Sequence, residues 1–244
     1  MDYTIYYRRF HDGSQSDFDS AVAFYRRLLE PTLKTVSRDS RILDLGCGHG
    51  LLLNALQRLG FTNARGIDIS REQVALGQSR GLACRAVDRD YLVSLATGTT
   101  AMFDLVFMMD VLEHMGKHEQ VLTLSAVSKL LAQDGRLIVS VPNANSTLGL
   151  RWRYGDWTHE VSFTELSLDF LLLNTGFRDV NFLPYEFIAR PRLPLIPRPS
   201  ILPWAFQRIA RILRRMEAVG ELGANGWKIP LSLNLLVECR KDNA

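Results

Sequence analysis

The stretch Ile42-Leu43-Asp44-Leu45-Gly46-Cys47-Gly48-His49-Gly50 decides the fold. An apolar strand pattern runs into alternating glycines, and a helical pattern begins at Leu51. Glycines at such a turn permit positive φ and let a ligand approach the backbone, while the helix start presents free N–H groups. Two phosphate-binding loops are excluded by spacing. The dinucleotide fingerprint needs a third glycine at position 51, which is Leu51, and no Lys-Ser/Thr pair follows for a nucleoside-triphosphate loop.

Outward from this loop, short apolar runs alternate with helical patterns. The strands expected are Arg41–Leu45, Ala64–Ile67, Ala83–Val87, Asp104–Met109 and Gly135–Val141, with helices at about Leu51–Leu59, Arg71–Ser79, Tyr91–Leu95 and Glu119–Leu131. Such alternation argues for a parallel sheet covered by helices on both faces. Ser70 and Gln73 read as a capping box opening the second of these helices, and Asp134-Gly135 as the close of the fourth. Pro142–Ser162 reads as loop, Thr164–Thr175 as a helix, Phe177–Ile188 as a sixth strand region and Leu233–Cys239 as the last strand. Asp17–Val36 gives an N-terminal helix with Ser16 as its cap. Residues 1–38 thus form an N-terminal helical cap segment before a domain over 39–244.

Acids recur where strands end. Asp44 belongs to the first strand, Asp68 ends the second and Asp88 follows the third, so all three surround one crevice at the carboxyl edge of the sheet. Asp68 is placed to accept both hydroxyls of a ribose and Asp88 to take the exocyclic amine of an adenine. Crowded carboxylates repel a pyrophosphate and favour a ligand carrying positive charge, as S-adenosylmethionine does on its ammonium and sulfonium.

With these residues the sequence resembles the class I S-adenosylmethionine-dependent methyltransferases. The likeness rests on Leu43–Gly50, Asp68, Asp88, Phe103-Asp104-Leu105-Val106, Asp110-Val111-Leu112-Glu113-His114 and Leu130–Pro142. It implies an α/β, Rossmann-like seven-stranded sheet with its last strand antiparallel. It also implies that Asp44 with the loop residues Gly46, Cys47 and Gly48 holds the methionine moiety. Asp68 with Ile69 would then hold the ribose, Asp88 with Arg89 the adenine, and Asp110 the far wall of the cofactor site. A narrower resemblance rests on Tyr7–Ser14, Asp156-Trp157-Thr158-His159, a basic helix and Asn234-Leu235-Leu236-Val237. It is to a bacterial subgroup associated with surface polysaccharide and lipopolysaccharide biosynthesis, which implies a glycan hydroxyl as acceptor.

Methyl transfer to oxygen is a single in-line displacement dominated by positioning, and a sugar hydroxyl gains from a general base. His159, on the loop expected to cover the site, is the candidate base, with Asp110 or His114 as its orienting partner. Asp110, Glu113, His114 and His159 also suit an oxygen/nitrogen site for Mg²⁺ or Mn²⁺. That pattern resembles small-RNA 3′-end and ubiquinone-pathway O-methyltransferases, which have Glu where this chain has Asp110. In that case the acceptor would be an RNA end or a small phenol. As a third account, Glu113 and His114 cap or brace the helix after the fourth strand. A non-catalytic scaffold that binds the cofactor is the remaining alternative, against which the intact acids and glycines speak.

The 244 residues carry a formal net charge of +3, unevenly distributed. Seven Arg and no acid lie between Phe187 and Met216, so the other 214 residues carry a net −4. Five of the nine prolines fall in the same stretch, and residues 190–230 read as a basic, Pro-rich and then helical insert between strands six and seven. From Pro203 to Met216 the pattern is helical, with Phe206, Ile209, Leu213 and Met216 on one face and Arg208, Arg211 and Arg215 on another. Such a helix can lie at an anionic membrane surface, pack on the sheet with its arginines solvated, or build an oligomer interface. The acidic remainder argues against a broad nucleic-acid surface. Three widely spaced cysteines, Cys47, Cys84 and Cys239, offer neither a disulfide framework nor a Cys-x-x-Cys metal pair. With no signal-peptide pattern at the start and no apolar run of membrane-spanning length, the expected setting is cytoplasmic, with peripheral contact at the inner membrane face.

Overall fold

Alternate residues of the central strands bury apolar side chains on opposite faces, and this two-sided pattern explains the layered architecture. The computed structural model describes residues 15–98, 102–186 and 201–243. Their elements are α1 (Gln15–Leu33), β1 (Ile42–Leu45), α2 (Leu51–Arg58), β2 (Ala64–Asp68), α3 (Arg71–Ser79), β3 (Cys84–Ala86), α4 (Tyr91–Gly98) and β4 (Phe103–Met109). There follow α5 (Lys117–Leu130), β5 (Leu131–Pro142), α6 (Gly149–Gly155), α7 (Glu165–Leu173), β6 (Phe177–Leu183), α8 (Ile201–Leu222) and β7 (Asn234–Lys241). The strand order is β3-β2-β1-β4-β5-β7-β6. β7 runs antiparallel to both β5 and β6, while the pairs among β1 to β5 are parallel.

On one face Val106, Met108, Leu137, Val139 and Val237 pack under Leu124, Val127, Leu168 and Leu172 of α5 and α7. On the other face Ile42, Leu105, Phe107, Ile138 and Leu236 pack under Leu28, Leu29, Leu52 and Leu56 of α1 and α2. Strands buried on both sides read as near-continuous apolar runs, which is why β4 and β5 stood out in the sequence. The chain leaves β1 toward β2 on one side and returns as β4 on the other. That reversal opens a crevice at the carboxyl ends of the strands.

Four local expectations change. Ser70 Oγ accepts from the Gln73 backbone N–H, but the box is not reciprocal: the Gln73 side chain goes to His49 and the Ser70 N–H donates to Asp68 Oδ1. Asp134-Gly135 does not close a helix. α5 ends at Leu130, and Asp134, at φ 58°, lies where the β4–β5 register shifts. The loop after β5 contains α6, and the basic helix is longer than the sequence pattern, running from Ile201 to Leu222 before a 3₁₀ turn over Gly223–Lys228. The Tyr7–Ser14 motif and the Pro-rich lead-in to Ser200 lie outside the described residues.

Candidate active site

Backbone hydrogen bonds fold the glycine loop down onto β2. The Gly46 and Cys47 N–H groups both donate to the Ile67 carbonyl, at 2.8 and 3.1 Å. Such close contact between loop and strand depends on Gly66, where a Cβ would lie 2.6 Å from Cys47 Sγ. Gly48 has φ +51°, and a Cβ there would meet nothing within 4 Å, so its α-carbon faces open crevice that a ligand can approach closely.

Asp68 is buried and braces the loop. Its Oδ2 accepts from the Gly48 N–H at 2.8 Å and its Oδ1 from the Ser70 N–H at 2.7 Å. Each oxygen keeps a further lone pair, so hydroxyls can still approach, but holding the loop in place is the role these bonds display. Burial raises the carboxyl's pKa, and these N–H groups pull it back. Asp44 has no such support. It is 3% exposed, and its Oδ2 has no hydrogen-bond partner among the described residues. Burial, then the Asp68 charge, pushes its pKa up to about 8. A buried, unsatisfied carboxylate beside open space is complementary to a cation.

The crevice has a volume of about 1270 Å³ and is lined by Asp44, Gly48, Asp68, Ile69, Asp88 and Arg89, and further along by the residues after β4. Ile69 is 44% exposed, as an apolar platform for a flat ring must be. Asp88 is exposed at the rim, and Arg89 pairs with Glu119 at 2.9 Å. Cys47 is buried in the loop, and its thiol pKa is raised chiefly by burial.

Beyond β4 the chain makes a tight turn. Asp110 takes φ 57°, unusual for a side chain with a Cβ, and a 3₁₀ turn follows over Leu112–His114. The loop after β5 is pinned to this turn, the Glu160 N–H donating to the Glu113 carbonyl at 2.7 Å. Arg153 of α6 fixes the same loop through the His159 and Glu160 carbonyls. His159 therefore lands against His114, ring centroids 4.6 Å apart and edge to face.

The hydrogen bonds of both imidazoles define their tautomers. His159 Nδ1 lies 2.8 Å from the Trp152 carbonyl, which can only accept, so Nδ1 carries a hydrogen and Nε2 is the nitrogen that holds the lone pair in the neutral ring. Thr158 Oγ1 donates to Asp156 Oδ1 at 2.7 Å, which commits its hydrogen. His114 Nδ1, 2.8 Å from that hydroxyl oxygen, must then be the donor, leaving Nε2 with its lone pair. Glu113 is 1% exposed, and its Oε2 has no partner among the described residues. Ligand atoms of Glu113, His114 and His159 all lie within 4.8 Å of one another. Burial holds the His114 pKa down at about 4 and raises that of Glu113 well above the usual carboxylate range. The set is buried and combines two imidazoles with one carboxyl, a nitrogen/oxygen set that fits a divalent cation, whose binding would displace the Glu113 proton.

Several expected pairings do not form. Asp110 does not orient His159. Its Oδ1 accepts from Ser140 Oγ and Asn234 Nδ2, each at 2.6 Å. His159 is oriented by the Trp152 carbonyl and faces Asp156 Oδ2 across 3.7 Å. The candidate metal cluster comprises Glu113, His114 and His159, without Asp110. A His114 pKa near 4 suits a ligand and not a proton carrier at neutral pH. Tyr25 and Tyr185, not legible in the sequence as site residues, also line the crevice, with pKa values raised by burial, then by Asp44 and Asp110 for Tyr25 and by Asp110 for Tyr185. Tyrosines at helical or strand spacing read as core, so they gave no signal.

Comparison with known proteins decides the family. A family model described as a methyltransferase domain matches residues 18–181. The chain belongs to this methyltransferase domain family. Curated relatives include the ubiquinone biosynthesis O-methyltransferase of Xanthomonas oryzae pv. oryzae strain PXO99A, 36% identical over 108 residues, which is 43% of this chain and 44% of that protein. The protein of the same name from Neisseria meningitidis serogroup A (strain Z2491) is 28% identical over 109 residues, 43% of this chain and 45% of its own length. The matches thus span less than half the length of these curated relatives. Among solved structures, a SAM dependent methyltransferase from Archaeoglobus fulgidus superposes with a TM-score of 0.68 at 23% identity, covering 99% of this chain and 100% of that one. Magnesium protoporphyrin IX methyltransferase from Synechocystis PCC 6803, solved with bound SAH, gives a TM-score of 0.58 at 16% identity, covering 98% and 94%. These structures share the fold, and the family's match ends before α8.

Proposed function

We propose that the chain is an S-adenosylmethionine-dependent O-methyltransferase acting on a hydroxyl of a cell-surface glycan or its precursor. The observation that carries the cofactor assignment is Asp44, a buried carboxylate with an unpartnered oxygen beside the open face of Gly48. In this reading Asp44 and the glycine loop hold the methionine end, Asp68 and Ile69 the ribose, and Asp88 with Arg89 the adenine. When bound, S-adenosylmethionine supplies a methyl group on a positively charged sulfur, which an oxygen nucleophile displaces in line to leave S-adenosylhomocysteine. His159 Nε2, its lone pair held by the Trp152 carbonyl on the opposite nitrogen, takes the acceptor's proton. Asp110, fixed by Ser140 and Asn234, orients the acceptor from the floor of the crevice. Residues 1–38 act as a cap, and residues 190–230 as an insert on the 39–244 domain, in a cytoplasmic setting.

A second reading is favoured by the convergence of Glu113, His114 and His159. These residues would hold Mg²⁺ or Mn²⁺, which lowers the pKa of a bound hydroxyl and suits a phenolic acceptor; the curated relatives are named as O-methyltransferases of ubiquinone biosynthesis. Calorimetric titration with S-adenosylmethionine tests the cofactor claim; it fails if no heat appears and Asp68→Ala changes nothing. An acceptor screen with labelled cofactor, run on nucleotide sugars, glycan extracts and catechols with and without chelator, separates the two acceptors. Label on catechols alone, lost on chelation, would overturn the glycan assignment.

A further inference from the structure

The polarity of α8 is reversed relative to a helix that packs on a core. Leu202, Phe206, Ile209, Leu213 and Met216 share one face at helical spacing, and they are 63, 61, 53, 61 and 66% exposed. The arginines turn the other way and are tied down. Arg211 and Arg208 reach Glu186 at 3.0 and 3.5 Å, and Arg215 donates to the Gly226 carbonyl across the turn that follows the helix. The helix is therefore held to the body by charge and presents its apolar stripe outward. Among the described residues, eight of the nineteen exposed large apolar side chains lie between Leu202 and Trp227, a concentration and not a scatter.

We propose that this face of α8 docks the protein on an anionic membrane surface. Charge complementarity selects this occupant. The stripe lies in residues 187–230, where seven Arg and Lys228 stand against two acids, Glu217 and Glu221, a net +6, while the rest of the chain carries a net −3. A surface of anionic lipid attracts that stretch and turns the acidic body away from itself. A second copy of this face offers no opposite charge to the basic stretch. The helix lies on the bilayer and does not cross it, because no helix among the described residues is long and apolar enough to span one.

The chain that follows α8 leads to the crevice. After α8 and its 3₁₀ turn, the Pro230 and Ser232 carbonyls accept from Asn143 Nδ2 at 2.9 and 2.8 Å, and Leu233 and Asn234 line the crevice wall. An acceptor with a lipid tail in the bilayer and a hydroxylated headgroup could be presented there. That extension rests on the methyl-transfer reading, whereas the docking itself does not.

The test is flotation of the full chain with phosphatidylcholine vesicles and with vesicles containing about one-third phosphatidylglycerol. The expected result is binding to the anionic vesicles at least about tenfold stronger than to the neutral ones, weakened by added salt. Phe206→Glu/Leu213→Glu should lower it by roughly tenfold or more, and the milder Phe206→Ser/Leu213→Ser by several-fold. Leu166→Glu/Phe170→Glu, the same charge change on the exposed face of α7, should change it by no more than about twofold. Unchanged S-adenosylmethionine titration shows that the variants are folded and separates a docking failure from a failure of the cofactor assignment. Equal or absent binding of the native chain to the two vesicle types would overturn the proposal. So would unimpaired binding by the α8 variants, or a dimer in light scattering that those variants make monomeric.

Discussion

Asp44 should make cofactor binding depend on pH in a way that one substitution removes. In the ligand-free protein its pKa is about 8, raised by burial and by Asp68, so at neutral pH the carboxyl is mostly protonated. A cationic ligand needs the carboxylate, so binding must release that proton. Each unit of pH below about 8 then costs about 1.4 kcal/mol of affinity, a factor of ten in Kd. Between about pH 8 and about pH 6 the affinity of the native chain for S-adenosylmethionine should fall by roughly a hundredfold. The ligand's own α-amino group titrates at about 7.7–8.0 and is common to every protein tested. The difference between native and Asp44→Asn curves therefore reports Asp44. Titration calorimetry in two buffers of unlike ionisation enthalpy should show about one proton released near pH 6.5 by the native chain and none attributable to this site in Asp44→Asn. Parallel curves for the two proteins, or equal proton release, would refute the reasoning.

Four further outcomes follow from the same geometry. A carboxyl whose folded pKa lies above its unfolded value gives stability that is present at low pH and lost as pH rises through the window from about 4 to about 8. Asp44→Asn should therefore raise the thermal midpoint of the ligand-free protein at pH 8.5 by more than at pH 5, by up to about 5 kcal/mol in stability, and a lower midpoint at pH 8.5 would contradict this. Gly66→Ala places a methyl 2.6 Å from Cys47 Sγ and should cost roughly 1–3 kcal/mol in chemical denaturation together with weaker cofactor binding; a neutral change would mean that the loop is not held as described. His159→Gln should lower turnover by roughly 10²–10³ at saturating acceptor with cofactor affinity unchanged, and normal turnover would remove it as the base. The metal reading expects chelation and Glu113→Ala each to lower turnover at least about tenfold, with added Mn²⁺ restoring only the chelated native enzyme, and full activity after exhaustive chelation would eliminate it.

The parts of this molecule that were legible in the sequence are those governed by local pattern. β4 and β5 are apolar because both faces are covered, and the glycines of the loop announce a turn whose position follows from the helix start at Leu51. Site partners were legible only where both members carry a side-chain signal. His159 was visible, but its orienting group is the carbonyl of Trp152, and a backbone acceptor leaves no mark on residue identity. Asp110 was visible, while its partner Asn234 stands 124 positions away and reaches it only because β7 inserts antiparallel beside β5. The helix α6 was missed because its seven residues, bounded by Gly149 and Gly155, are too few to display a period. α8 shows the limit most clearly. Periodicity correctly grouped Phe206, Ile209, Leu213 and Met216 on one face, but a period says which residues share a face and not which face meets the body. For most helices the apolar face turns inward, and that assumption supplies the missing orientation. Here Glu186, a single acid immediately before the arginine-rich stretch, captures Arg208 and Arg211 and turns the helix the other way. Replacing Glu186 with Gln should therefore loosen α8 from the body without altering its helicity, which amide exchange along Ile201–Leu222 would register as faster exchange spread over the whole helix.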